Sequence, residues 1–208
     1  MKRALYGGIA VVIAFLVGRI SAQDVAPSCI MCAATYIGAD EIAAYESVGI
    51  AQSITDQQLR SVDIGKANVQ VALAHRGKLD APAPRSVAEH DLVTEVYVVL
   101  SGGGTNLTSP ALIDAERRPA DNRAVRLLNG PGQNAAGMDN PVEQELKAGD
   151  VLVIPAGTGH QFTKIDDHIT YLMVRIDPDK VVPLMDEAAS RRYLEESRQV
   201  EPGVPRTQ

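Results

Sequence analysis

Tryptophan is missing from this 208-residue chain, and six tyrosines with two phenylalanines are its only aromatic rings. That is too few for a carbohydrate platform of stacked rings. Cysteine is as scarce. Cys29 and Cys32 form a single CxxC with no second pair, so neither a four-cysteine zinc site nor a disulfide scaffold is available. Lys and Arg nowhere cluster and the net charge is −6, which excludes an electrostatic surface for nucleic acid. No Gly-x-Ser-x-Gly elbow and no phosphate-binding glycine loop occurs, and neither cysteine has a histidine near it in sequence. Long apolar runs are missing too, except at the N-terminus. There Lys2 and Arg3 precede 14 mostly apolar residues, Leu5 to Gly18, and the small residues Ser21-Ala22 follow.

That N-terminal pattern is an export signal by length and flanks, too short for a membrane span. The expected mature chain starts near Gln23, periplasmic or secreted, with no stable membrane association after cleavage. In an oxidising compartment Cys29 and Cys32 are expected to form a local disulfide, read as a buried structural pair without catalytic duty. Its loop is so short that it adds little stability.

What is present is a globular composition, 45% hydrophobic and 22% charged, in a chain long enough to bury a core without staples. Asp40 to Tyr45 suggests a short helix with acidic residues at its favourable end. From Gln58 the period changes to two. Val69, Val71, Leu73 and His75 share one strand face, with Gln70, Ala72 and Ala74 on the other, and which of the two points inward stays open. A strand from Thr94 to Leu100 is expected to stop at Gly102-Gly103-Gly104. Leu112 to Asp114 and Val125 to Leu128 suggest further strands, and Asn129 to Asn140 a Gly/Asn/Pro-rich loop. The long segment 105–145 could form a lid or rim. Val142 to Ile154 reads as a hairpin, Ile169 to Ile176 as the last strand, and Asp186 to Arg198 as an amphipathic helix. Many short strands without alternating helices mean an all-β sandwich or barrel. The expected divisions are a signal over 1–22, an N-terminal extension over 23–57, the barrel over 58–178, and a C-terminal helix and tail over 179–208.

Two segments carry chemistry. The first is His90-Asp91-Leu92-Val93-Thr94-Glu95, with six residues between Glu95 and Gly102. The second is Gly149 followed by Pro155, Gly157 and His160. Together they resemble the two motifs of the cupin family of small β-barrels, over roughly residues 60 to 176. The pattern departs at Ala88, where the family's first histidine would stand, at Pro82 in place of a glycine, and at Lys164 in place of an asparagine. The resemblance implies a double-stranded β-helix (jelly-roll) barrel, here with a short helical segment before it and a helix after it.

It also implies one divalent metal ion held by His90, Glu95 and His160. Alternation puts Glu95, Tyr97 and Val99 on one face, and a carboxylate buried there needs a cation or a partner. Two imidazoles and one carboxylate suit Fe(II) first, with Mn, Ni, Co or Zn also possible. Tyr97 would reach the same cavity as a proton donor or orienting group, or merely fill the barrel. His75 would replace the ligand missing at Ala88 or line the substrate shell, unless it is a core or strand-end histidine. Phe162 would wall His160, and His168 would lie on the surface. The expected function is an oxygenase acting on a small organic molecule. The alternatives are a redox-neutral lyase or isomerase, and a non-catalytic binding protein. A homodimer is expected, because the C-terminal helix has an apolar side needing cover.

Overall fold

The computed structural model describes residues 26–199, so the expected export signal and the end of the C-terminal tail lie outside the described residues. The chain divides into two units, residues 1–32 and 33–208. In the first, Cys29 and Cys32 form a disulfide. Both are at least partly exposed, which corrects the buried pair read from the sequence. None of the described helices is long and apolar enough to cross a membrane.

The second unit opens with helix α1 (Ala39–Gln52), longer than the segment visible in the sequence, with Asp40 and Glu41 in its first turn. Ten strands follow: β1 (Asp56–Asp63), β2 (Asn68–Arg76), β3 (Val87–His90), β4 (Thr94–Ser109), β5 (Leu112–Arg117), β6 (Gly132–Met138), β7 (Val142–Lys147), β8 (Val151–Ile154), β9 (Gly159–Lys164) and β10 (Ile169–Asp177). Helix α2 (Glu187–Arg198) closes the described chain. All strand pairs are antiparallel. One sheet runs β1-β2-β10-β4-β8 and the other β7-β4-β9-β3-β6-β5, so β4 belongs to both. The fold is the expected all-β jelly roll with a helix at each end.

Gly102 to Gly104 do not end a strand. They let β4 run on from one sheet into the other while three neighbours press against it. A Cβ at Gly102 would lie 1.9 Å from the His168 carbonyl oxygen, one at Gly103 2.5 Å from that of Leu146, and one at Gly104 2.8 Å from that of Lys164. Backbone this close admits no side chain.

One further reading is settled and another corrected. The period of β2 is two, as read, and its inner face is now fixed: Ala72 and Ala74 enter the barrel core, while Leu73 faces out and packs with Tyr45, Leu59 and Leu194. The helices supply that outer cover, which the strand's own pattern does not reveal. In the segment between β5 and β6, Val125 to Leu128 is not a strand. It is a single π-helical turn (Ala124–Leu128) closed by Asn129 N donating to Ala124 O at 2.7 Å. Most of the expected loop 129–140 is β6, paired with β3 and β5.

Helix α2 docks through Leu194 and through Tyr193, which stacks on Tyr45 at 5.5 Å. Its apolar side is therefore covered within the chain. Asp186 caps the helix by accepting from Ala189 N at 2.7 Å. Asp186→Ala is expected to cost about 1 kcal/mol, read as a lower urea midpoint at unchanged slope.

Candidate metal centre

Period two on β4 places Glu95, Tyr97 and Val99 inside, exposed by only 1%, 2% and 3%. His90 ends β3, and its carbonyl accepts from Gly157 N at 2.8 Å. Ala156 N donates to Thr94 Oγ1 at 3.2 Å. The Pro-Ala-Gly turn is thereby pinned to both ends of the first motif, and its glycine has φ +80°. The chain then enters β9 with His160 paired in register to Ala88 and Thr108.

The result is convergence. His90 Nε2 lies 3.5 Å from Glu95 Oε1, and His160 Nε2 lies 3.5 Å from Glu95 Oε2. One donor atom from each residue falls within 4.8 Å of the other two, and all three residues are buried. His160 Nδ1 faces the Thr158 carbonyl at 3.2 Å. That contact places the proton on Nδ1 and leaves the Nε2 lone pair directed at the cluster, as a metal ligand needs. Burial pushes the His90 pKa down to about 3 and that of His160 down as well, so both rings are neutral near pH 7. Burial opposes the charge on Glu95, but the facing imidazoles and the Arg175 guanidinium hold its carboxyl down to about 2. Two neutral imidazoles and an ionised carboxylate fit one divalent cation.

Four side chains that the sequence alone does not single out complete the site. Arg175, fully buried on β10 and opposite Glu95 in register, donates Nε to Glu95 Oε1 at 3.0 Å and also bonds Asp56 and Gln58. Asn129, just after the π turn, donates Nδ2 to Glu95 Oε1 at 2.7 Å and lies 3.3 Å from His90 Nε2. Its amide sits between two of the three ligand atoms, so an ion there requires Asn129 to yield. Arg118 is 3.4 Å from His90 Nδ1. Arg76, at the end of β2, lines the same cavity of about 160 Å³. Only Arg175 carries a signal, as a charge beside the apolar run Tyr171-Leu172-Met173-Val174.

Tyr97 donates its hydroxyl to Glu95 Oε2 at 3.0 Å, and burial followed by the Glu95 charge pushes its pKa well up. Phe162 lies in the core behind Tyr97 and not in the cavity lining, its ring centroid 6.5 Å from that of Tyr97. His75 is elsewhere. It faces out from β2, with Nδ1 2.8 Å from Thr170 Oγ1 and its ring over His168 at 5.9 Å. This is the strand-end alternative for His75, not the replacement ligand or substrate-shell role. His168, half exposed, meets Asp167 and Ser101 away from the cluster. Asn106, which opens an Asn-Leu-Thr sequon, is fully buried on β4 and closed to modification in the fold.

A larger groove of about 700 Å³ lies beside α1 and the start of α2. Its charges pair with one another or with neighbours, Arg60 with Glu41 and Arg191 with Glu187, and no histidine lines it.

Residues 138–206, which include β8, β9 and His160, match the family model of the AraC-like ligand binding domain. That match spans about a third of the chain, so what stands is the fold: a cupin-like jelly roll with both motifs converging inside it. Solved structures similar to it include a Bacteroides fragilis cupin protein, 21% identical over 54% of this chain and 68% of that one, TM-score 0.33. A Bacillus halodurans protein is 13% identical over 78% and 97%, TM-score 0.39. The Drosophila melanogaster CENP-C domain is 15% identical over 55% and 70%, TM-score 0.31. No curated protein matches the sequence. The functional reading of this chain therefore rests on its own site.

Proposed function

We propose that this chain holds one divalent metal ion through His90, Glu95 and His160 and acts on a small organic molecule as a mononuclear non-haem oxygenase. The observation that carries the proposal is the convergence of two neutral imidazole nitrogens on an ionised carboxylate inside a closed barrel. Iron(II) held by such a set keeps open positions for O2 and substrate. The chain's own groups do the rest. Arg175 and Tyr97 fix the Glu95 carboxylate, Thr158 fixes the His160 tautomer, and Phe162 packs against Tyr171, which lines the cavity. Tyr97, held protonated with its hydroxyl given to Glu95, is no free base, which counts against the lyase alternative. Export to the periplasm or medium is part of the proposal, supported by Lys2, Arg3 and the apolar Leu5 to Gly18.

One observation favours a second reading, a binding protein without metal. Both Glu95 oxygens already accept hydrogen bonds, Oε1 from Arg175 and Asn129 and Oε2 from Tyr97, so the carboxylate is satisfied without an ion. Metal analysis of protein purified from its native host separates the two. The parent is expected to carry about one ion per chain, and His160→Ala to lose most of it, because two ligands hold a divalent ion poorly. Equal metal content in parent and variant would overturn the metal reading, and a parent without metal would establish the binding protein.

A further inference from the structure

We infer that Arg76 is the anchor for an anionic substrate and that this site takes small carboxylic acids. The inference rests on reading the His90–Glu95–His160 cavity as the substrate site. Arg76 lines that cavity together with Glu95, Tyr97 and His160. Its guanidinium is held in place from two sides: Nε donates to Tyr171 Oη at 3.2 Å, and Cζ lies 5.3 Å over the Phe162 ring. Beyond that single bond its terminal nitrogens meet no acceptor, and among the described residues no carboxylate lies within ion-pair distance of it. A planar fork with its outer edge free and its plane fixed is suited to a carboxylate, which it can engage through two parallel bonds.

The other two arginines of the cavity are committed. Arg175 directs its donors to Glu95, Gln58 and Asp56. Arg118 gives its donors to Asn134, Glu89 O and Gln133 O, all uncharged acceptors. The charge balance points the same way. Three guanidiniums line the cavity against two carboxylates, Glu95 and Asp56, so one guanidinium of the lining has no carboxylate there to match it. A buried cation without a counter-charge is unfavourable, and an entering anion relieves it. Size limits the anion. About 160 Å³ is the space of roughly five water molecules in the liquid. That suffices for acids of two to four carbons.

The test titrates acetate, pyruvate, oxalate and succinate, with methyl pyruvate as the uncharged control, into the full-length protein by calorimetry. Each titration is run on manganese-loaded and on chelator-stripped protein, with metal content measured on the same samples. At least one acid is expected to bind, pyruvate more tightly than its methyl ester. Arg76→Gln is expected to weaken the acids about tenfold or more at unchanged metal content and leave the ester unaffected. Arg76→Lys keeps the charge but not the fork and should fall between; it also decides the matter if the glutamine variant does not fold. Equal acid affinity in parent and variants, no preference for acid over ester, or no binding of any acid would each overturn the inference. If no sample holds metal while the Arg76-dependent preference persists, the anion anchor stands and the metal proposal falls.

Discussion

Glu95→Ala is expected to lower the stability of the metal-free protein by about 3 kcal/mol, besides abolishing metal uptake. Arg175 is fully buried, and its Nε has Glu95 as its partner. Removing the carboxylate leaves a guanidinium in the barrel with Asp56 as its remaining charged neighbour, and strands the Asn129 amide and the Tyr97 hydroxyl as well. A buried pair broken from one side costs more than the pair itself contributes, because the surviving charge has no water to return to. For a chain of this size the loss appears as a drop of about 6–12 °C in Tm. The measurement must be made on chelator-treated protein, so that lost metal binding does not add to the difference. A metal-free alanine variant as stable as the parent would mean that Arg175 does not depend on Glu95. Glu95→Gln should fall between, since an amide still offers Arg175 an acceptor but no charge.

Gly102→Ala is expected to be as damaging, about 3 kcal/mol, for a reason unrelated to charge. The new Cβ would sit 1.9 Å from the His168 carbonyl oxygen, and the backbone there has φ +68°. Neither β4 nor the β9–β10 turn can move aside without disturbing a sheet. Gly149 is the built-in control. Its φ is +92°, but a Cβ there meets nothing within 4 Å. Gly149→Ala should therefore show the conformational cost alone, about 1 kcal/mol. Urea unfolding of the two variants side by side checks the contrast, and equal losses would show that crowding at Gly102 does not matter.

How much of this is legible in the residues alone depends on the range of the interaction. The motif spacings around Glu95 and His160 are local, and they suffice to locate the cluster. Alternation on β4 is local too, and Glu95, Tyr97 and Val99 do face inward. The face of β2 is not. Its outward positions are apolar because helices cover them, as Leu73 shows, and a strand with cover on both sides does not say which side is the barrel. That ambiguity leaves the side of His75 undecided in the sequence, and it is Arg76, its neighbour, that takes the place inside. The glycine run reads as a stop because glycine commonly ends strands. Only the crossing of three neighbouring segments shows why the strand continues. Asn129 has no signal at all: it sits in a stretch that looks like loop, and its role depends on a single π turn that brings it to a residue 34 positions earlier.

That π turn also sets Asn129 apart from the other partners of Glu95. Of the three side chains bonded to Glu95, Tyr97 and Arg175 ride on strands locked into the first sheet, and Asn129 rides on a five-residue turn between two strands of the second. Withdrawing Asn129 forfeits one hydrogen bond to a charged group, about 1.5–3 kcal/mol, whereas withdrawing either of the others means parting a sheet. Asn129 is therefore the partner of Glu95 that can give way at least cost, and its withdrawal leaves both sheets intact.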